Sequence, residues 1–307
     1  MTGHGEDDRQ WLAGRFESHR AHLRGVAYRM LGSLSEADDA VQEAWIRLNR
    51  SDSSEVDNLQ AWLTTVVGRV ALNMLRTRKS RREAPMELHV PDPIVSDAAG
   101  IDPEQEALIG DSVGLAMLVV LDTLSPAERV AFVLHDVFGV PFDEIAPIVG
   151  RSPAAARQLA SRGRRRVRGA PVPDPDLDRQ REVVTAFLAA SRRGDFETLV
   201  ALLDPEVVLR VDGGSARPGL TRVVHGAEAV AAQAVGFRRF TGTARLALVN
   251  GALGGVAYAK DGSPFAVTGL VIRDGRIAAM DVLADPDRLE DVDLTDLENG
   301  LIGGDVR

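Results

Sequence analysis

From Trp11 to Leu31 the residues Leu12, Phe16, Leu23, Val26, Ala27, Met30 and Leu31 recur every three or four positions. This spacing predicts an amphipathic helix, ended by Gly32. Ser35 is placed to cap a second helix, in which Ala37, Val41, Ala44, Trp45 and Leu48 face inward. Glu36, Asp38, Asp39, Gln42 and Glu43 are left as an acidic outer face. Acids near a helix N-terminus are also what a plain solvated helix carries. A polar loop, Asn49 to Asp57, leads into a long helix from Leu59 to Arg82. Its first half is apolar, with Trp62, Leu63, Val66, Val67, Val70, Leu72 and Leu75. Its second half gathers Arg69, Arg76, Arg78, Lys79, Arg81 and Arg82 with no acid between them. Aromatics beside a basic helix suit single-stranded nucleic acid, although Trp62 alone reads as core.

Glu83 to Gly100 contains Pro85, Pro91 and Pro93 among small and polar residues, and reads as a linker. Asp102 then caps a helix through GLAMLVVLDTL, with Pro103 in its first turn. Ser125-Pro126-Ala127-Glu128 has capping-box spacing. Ile145, Ile148 and Val149 predict a short helix stopped by Gly150, and Ser152-Pro153 starts another that runs to about Arg168. Two helices joined by a tight glycine turn form a helix-turn-helix pattern. Ala156, Leu159, Ala160, Gly163 and Val167 make one inward stripe of the second helix. Arg157, Gln158, Ser161, Arg162 and Arg165 face outward. Arginine and glutamine hydrogen-bond guanine and adenine edges in pairs, so this side suits a major groove. A solvated helix kept soluble by its arginines is the plainer alternative.

Gly169 to Pro175 is a second proline-rich linker. Beyond it the period changes. Leu177 to Arg193 and Phe196 to Leu203 read as helices, Val207 to Val211 as a strand, and His225 to Phe240 as a third helix. Strands follow near 244–249, 254–260, 265–273 and 276–283, with Asp274-Gly275 as a hairpin turn. Helices followed by an antiparallel sheet predict an α+β cone.

Composition refines this picture. The 307 residues are 45% hydrophobic, enough for two or three cored domains. The net charge is -9, yet the seven residues Arg151, Arg157, Arg162, Arg164, Arg165, Arg166 and Arg168 fall in one stretch without an acid, for which phosphate is the natural partner. Residues 171–307 carry 15 basic against 21 acidic groups, so the tail could repel DNA or cover a basic face. Cysteine is absent, which removes disulfides and thiolate zinc sites, and the six scattered histidines have no metal-ligand spacing. No cofactor motif is present, and none is expected. No apolar run approaches the ~18 residues needed to span a bilayer, and the start MTGHGEDDRQ is unlike a secretory signal, so the cytoplasm is the expected location with no membrane partner.

The order of parts resembles a bacterial sigma factor. LRGVAYRMLGSLSEADDAVQEAWIRL and LQAWLTTVVGRVALNMLRTRKSRR resemble region two of the extracytoplasmic-function group, and LSPAERVAFVLHDVFGVPFDEIAPIVGRSPAAARQLASRGRRRV resembles region four. The resemblance implies a multidomain chain: two all-α sigma domains, the second with a helix-turn-helix, followed by the α+β cone. The corresponding division is 11–83, a linker 84–101, 102–169, a linker 170–177, the cone 178–290 and an acidic tail 291–307. It also implies that Asp38, Asp39, Gln42 and Glu43 dock on RNA polymerase core. Asn58, Trp62, Arg69, Asn73 and Arg76 would melt and hold the minus-ten element, and Arg157, Gln158, Ser161, Arg162 and Arg165 would contact the minus-thirty-five element.

The cone resembles the SnoaL-like, nuclear-transport-factor-like domain behind the SigJ-like subgroup of these sigma factors. Asp212-Gly213-Gly214-Ser215 matches the subgroup's Asp-Gly-Gly-Gly except at its last residue, and Asp285-Pro286-Asp287-Arg288-Leu289 matches its Asn-Pro-Asp-Lys-Leu with two mild changes. The subgroup's linker motif Trp-Leu-Pro-Glu-Pro is reduced here to Pro91-Asp92-Pro93, preceded by His89 and Val90. In that subgroup the extra domain contacts the sigma core and tunes it, with no separate anti-sigma protein. From the residues alone, Asp212-Gly213-Gly214 reads nearly as well as a plain strand-end turn. Two further readings stand beside the sigma factor: a regulator whose cone senses a small ligand, and a cone that keeps cyclase or isomerase chemistry, for which Asp212, His225, Tyr258 and Asp281 are the candidate acids and bases. Perturbed carboxylates in a closed pocket would favour the enzyme, and an apolar pocket the sensor.

Overall fold

Helix α1 (His4–Leu31) stops where Gly32 turns to φ 71° and its N–H closes on Tyr28 O. Helix α2 (Leu34–Arg50) begins earlier than expected, because Ser33 rather than Ser35 is its cap: Ser33 O accepts the Ala37 N–H, and its hydroxyl meets the Glu36 N–H. Helix α3 (Leu59–Arg81) is opened by Asn58, whose Oδ1 accepts from Ala61 N at 3.1 Å. Leu63, Val67, Ala71 and Leu72 of α3 are buried in a core shared with α1 and α2. A computed structural model describes residues 4–50, 58–81, 88–98, 114–168, 176–295 and 297 of the chain. The predicted Asp102-Pro103 helix start, the loop 51–57, most of the linker 170–177 and most of the tail 291–307 lie outside the described residues.

Helix α4 (Leu115–Asp122) is followed by α5 (Pro126–Phe132), where the expected capping box is complete: Ser125 Oγ accepts from Glu128 N, and the Glu128 carboxylate accepts from Ser125 N. A π-helical turn, Val133–Val137, continues α5, a feature the apolar periodicity does not reveal. Helices α6 (Phe142–Val149) and α7 (Pro153–Val167) meet at Gly150, which holds φ 68°, and Ser152 caps α7 as expected. Gly163 lets α7 approach α5, since a Cβ there would stand 2.9 Å from Phe132 Cβ. Across α3, a Cβ at Gly68 would touch Leu134 and Ile148, so α3 packs on α6 as well. These helices form the first of two units, residues up to 81 together with 120–168.

The second unit takes residues 88–98, 114–119 and 176 onward. The first half of α4 belongs to the cone, where Leu115 presses on Gly269 so closely that a Cβ on that glycine would stand 2.8 Å from Leu115 Cδ2. Helices α8 (Leu177–Arg193), α9 (Phe196–Leu202) and α10 (Ala227–Phe237) fill a curved sheet of β1 (Val95–Asp97), β2 (Leu203–Asp212), β3 (Arg222–His225), β4 (Thr241–Val249), β5 (Ala252–Ala259), β6 (Pro264–Arg273) and β7 (Arg276–Leu283). Helix α11 (Pro286–Glu290) follows β7.

The strand order is β1-β4-β5-β6-β7-β2-β3. Three expectations change here. The sheet is mixed rather than antiparallel, because β2 runs parallel to β7. His225 lies in β3, paired with Val208, and Gly226 at φ 87° separates it from α10. The linker 84–101 supplies an edge strand: Val95 pairs with Val249, and Ile94 exchanges hydrogen bonds with Asn250. Asp274-Gly275 forms the expected hairpin turn, and Asn250-Gly251 forms a second, each pair with positive φ.

Candidate nucleic-acid interface

Asn58, Trp62, Arg69, Asn73 and Arg76 sit at helical spacing along α3, so the helix brings all five to one side. All are exposed except Trp62, which is half-buried. With Thr65, Val66 and Arg69 it lines a surface pocket closed by Arg47 and Arg50 of α2. Trp62 is therefore not simply core, and the two α2 arginines stand beside it, a neighbourhood that the α3 pattern alone does not indicate. An aromatic ring ringed by three guanidinium groups offers stacking to a base and charge to its phosphates.

On α7, Arg157, Gln158, Ser161, Arg162 and Arg165 are all exposed. Arg157 stacks over the Phe142 ring, 5.1 Å from its centroid. The local acids divide the arginine run. Glu128 takes Arg162 at 2.7 Å and Arg166 at 3.3 Å, and Asp136 takes Arg164 at 2.6 Å. Arg157 and Arg165 make no ion pair among the described residues. Burial opposes ionisation of Glu128, but hydrogen bonds from Ser125 and Arg162, with the Arg166 charge nearby, hold its carboxyl below the usual range. Arg162 is thus oriented by the turn it packs on.

On α2, Asp38, Asp39 and Gln42 are exposed and Glu43 is half-buried. Arg24 grips Asp38 with two hydrogen bonds, at 2.7 and 3.1 Å, and Arg47 holds Glu43 at 2.8 Å. Glu36 faces inward to Arg78. Asp39 and Gln42 are the outward members of the set.

In the cone, the residues of the two short motifs converge on the linker. Asp212 ends β2, buried, and its Oδ2 accepts from Val90 N at 2.9 Å and from Arg288 Nη1 at 2.8 Å. Arg288 also donates from Nε to Asp92 at 2.8 Å and from Nη2 to Val90 O. Val90 is fully buried as a result. The glycines are required: a Cβ on Gly213 would overlap Arg217 O, and Gly214, at φ 59°, would overlap Asp285. Ser215 is exposed and needs no such space, so the missing glycine of the motif costs nothing. Asp285 caps α11 by accepting from Asp287 N, with Pro286 at the first position; Leu289 is buried and Asp287 exposed. A polar fork and proline packing thus hold a linker that lacks the aromatic.

The cone also encloses a cavity of about 430 Å³. Asp212, His225, Tyr258 and Asp281 do not line it, which removes the geometry that the cyclase or isomerase reading needed. Met280 and Val282 of β7 do line it, so Asp281 between them faces the other side of the sheet, paired with Arg210 at 3.1 Å. Burial raises its pKa despite that pair. His225 is exposed, and Tyr258 lies under the Arg245 guanidinium.

Residues 15–81 match Sigma-70 region 2 and residues 115–167 match Sigma-70 region 4, so the helical parts are those of a sigma factor. The chain is 40% identical to the ECF RNA polymerase sigma factor SigJ of Mycobacterium tuberculosis, over 89% of this chain and 91% of that protein. It is 34% identical to the probable ECF RNA polymerase sigma factor SigI of the same species, over 91% of this chain and 95% of that protein. The crystal structure of M. tuberculosis SigJ matches with a TM-score of 0.74 at 38% identity, covering 92% of this chain and 99% of that one. The chain belongs to the extracytoplasmic-function RNA polymerase sigma factors, which direct the polymerase to promoters and initiate transcription. The relatives that match along most of its length are sigma factors rather than enzymes. Among the described residues no helix is long and apolar enough to cross a membrane.

Proposed function

We propose that the chain divides promoter recognition between two surfaces and that the cone restrains both through the linker. Asn58, Trp62, Arg69, Asn73 and Arg76, with Arg47 and Arg50, hold the melted minus-ten strand. Arg157, Gln158, Ser161, Arg162 and Arg165 read the minus-thirty-five duplex. Asp38, Asp39, Gln42 and Glu43 dock on the polymerase core in the cytoplasm. The modules are 11–83 and 102–169, with the cone from 178 to 290 extended by the docked part of the 84–101 linker.

The observation that carries the regulatory reading is the fork of Arg288 on Asp212, Asp92 and Val90 O. Residues 89–98 connect the two promoter-reading modules, and while docked as a sheet edge they cannot be redirected. Releasing them frees the modules to engage both promoter elements at once. Run-off transcription with core polymerase, comparing the full chain with Arg288→Ala, tests this: the variant initiates more strongly if the grip restrains.

The cavity favours a sensing role for the cone over an enzymatic one, because among the described residues its walls hold no carboxylate, histidine or tyrosine.

A further inference from the structure

The cavity floor is apolar, built from Phe187 and Leu188 of α8, Leu209 and Val211 of β2, Leu270 of β6 and Met280 of β7. Its wall and mouth are strongly one-sided in charge. Arg192, Arg222, Arg238 and Arg239 all line it, and among the described residues no acidic one does. Arg222 is tethered, donating to Gln233 Oε1 at 3.1 Å and to Leu220 O at 3.2 Å. Arg192, Arg238 and Arg239 are exposed at the opening, and Arg239 stacks over Phe240, 4.7 Å from its ring centroid.

We infer that this cavity binds an apolar molecule with one anionic end, of the class of medium- or long-chain carboxylates, its chain on the apolar floor and its carboxylate among the arginines at the mouth. The volume lies in the roughly 300–1,000 Å³ range of small-molecule sites, and apolar burial with a charge-assisted clamp is how such sites divide affinity from orientation. The inference deepens the sensing role proposed for the cone. Leu209 and Val211 touch the ligand from β2, and the next residue, Asp212, grips the linker. Val282 lines the cavity from β7, which leads directly into Asp285 and Arg288. Occupancy therefore acts on both ends of the grip.

The test uses the full chain and cis-parinarate, a fluorescent polyene carboxylate. Saturable binding at one per chain is expected, displaced by decanoate at least tenfold more effectively than by decan-1-ol, and not by decyltrimethylammonium. The exposed-rim variant Arg238→Gln/Arg239→Gln should weaken carboxylate binding roughly tenfold and leave decan-1-ol unchanged, the loss expected when charge-assisted contacts go. Ala234→Trp should fill the cavity and abolish binding. Equal displacement by alcohol and carboxylate, wild-type affinity in the rim variant, or no saturable binding would each overturn the inference. Because binding is read without polymerase, its failure leaves the promoter-reading and linker roles standing, and their failure in transcription leaves a binding result standing.

Discussion

Arg288 Nη1 lies 2.8 Å from Asp212 Oδ2, and the same carboxylate oxygen accepts the Val90 N–H at 2.9 Å. One buried acid from the cone thus organises a linker residue more than a hundred positions earlier and an arginine after the last strand. Asp212 is 5% exposed at its side chain and Arg288 21%, so the pair is shielded from solvent. Removing Arg288 leaves the buried Asp212 carboxylate with backbone N–H donors but without its guanidinium partner. Arg288→Ala is expected to lower stability by about 3 kcal/mol. It should also speed hydrogen exchange at the Val90 and Ile94 amides, measured by mass spectrometry on the 88–98 peptide. Arg288→Lys keeps the charge but loses the fork, and should fall between the two.

The exposed arginines of α7 are not equivalent. Arg162 is tied to Glu128 at 2.7 Å, whereas Arg165 makes no ion pair among the described residues. Arg165→Ala should weaken gel-shift binding to the upstream duplex roughly tenfold, as loss of a base contact worth ~1–3 kcal/mol implies. Polymerase capture should be unchanged. Asp39→Ala should do the reverse, and equal loss of both activities in either variant would count against the division.

Arg129 is 2% exposed and pairs with Asp122, while its Nε and Nη2 are buried without partners. Burial lowers its pKa, with Asp122 opposing the shift. Asp122→Ala removes the acid that pairs with it and should destabilise the helical unit by about 3–5 kcal/mol. Arg129→Met/Asp122→Leu should recover most of the loss in thermal unfolding.

Glu128 carries a pH dependence of known sign. Its folded-state carboxyl titrates below the ordinary value of 4.5, since the Ser125 and Arg162 hydrogen bonds outweigh burial. The stabilisation is present above about pH 4.5 and is lost as the pH falls through the lower folded-state value. Glu128→Gln should flatten that acid limb in a series of unfolding midpoints, and an unchanged limb would show that the carboxylate does not contribute.

Helix starts and stops were readable because each rests on a few neighbouring residues: Ser125 with Glu128, Gly150 with Ser152-Pro153, and Gly32 all behave as local chemistry dictates. The stripes of α3 and α7 were readable for the same reason. What escaped depends on distant partners. Val95–Asp97 is too short and too proline-flanked to signal a strand, and it becomes one only because β4 offers an edge. The parallel pairing of β2 with β7 joins segments far apart in the chain, which local patterning does not reveal. Arg47 and Arg50 join Trp62 through the packing of α2 on α3. Asp281 looked like a pocket acid, yet strand alternation turns it outward.

The central claim is that the grip on the linker restrains initiation. The direct measurement is run-off transcription from a matched promoter library, with core polymerase and either the full chain or Arg288→Ala at equal folded concentration. The account predicts more transcript from the variant, with the same start sites. Equal or lower transcript from a variant whose linker amides exchange faster would contradict it.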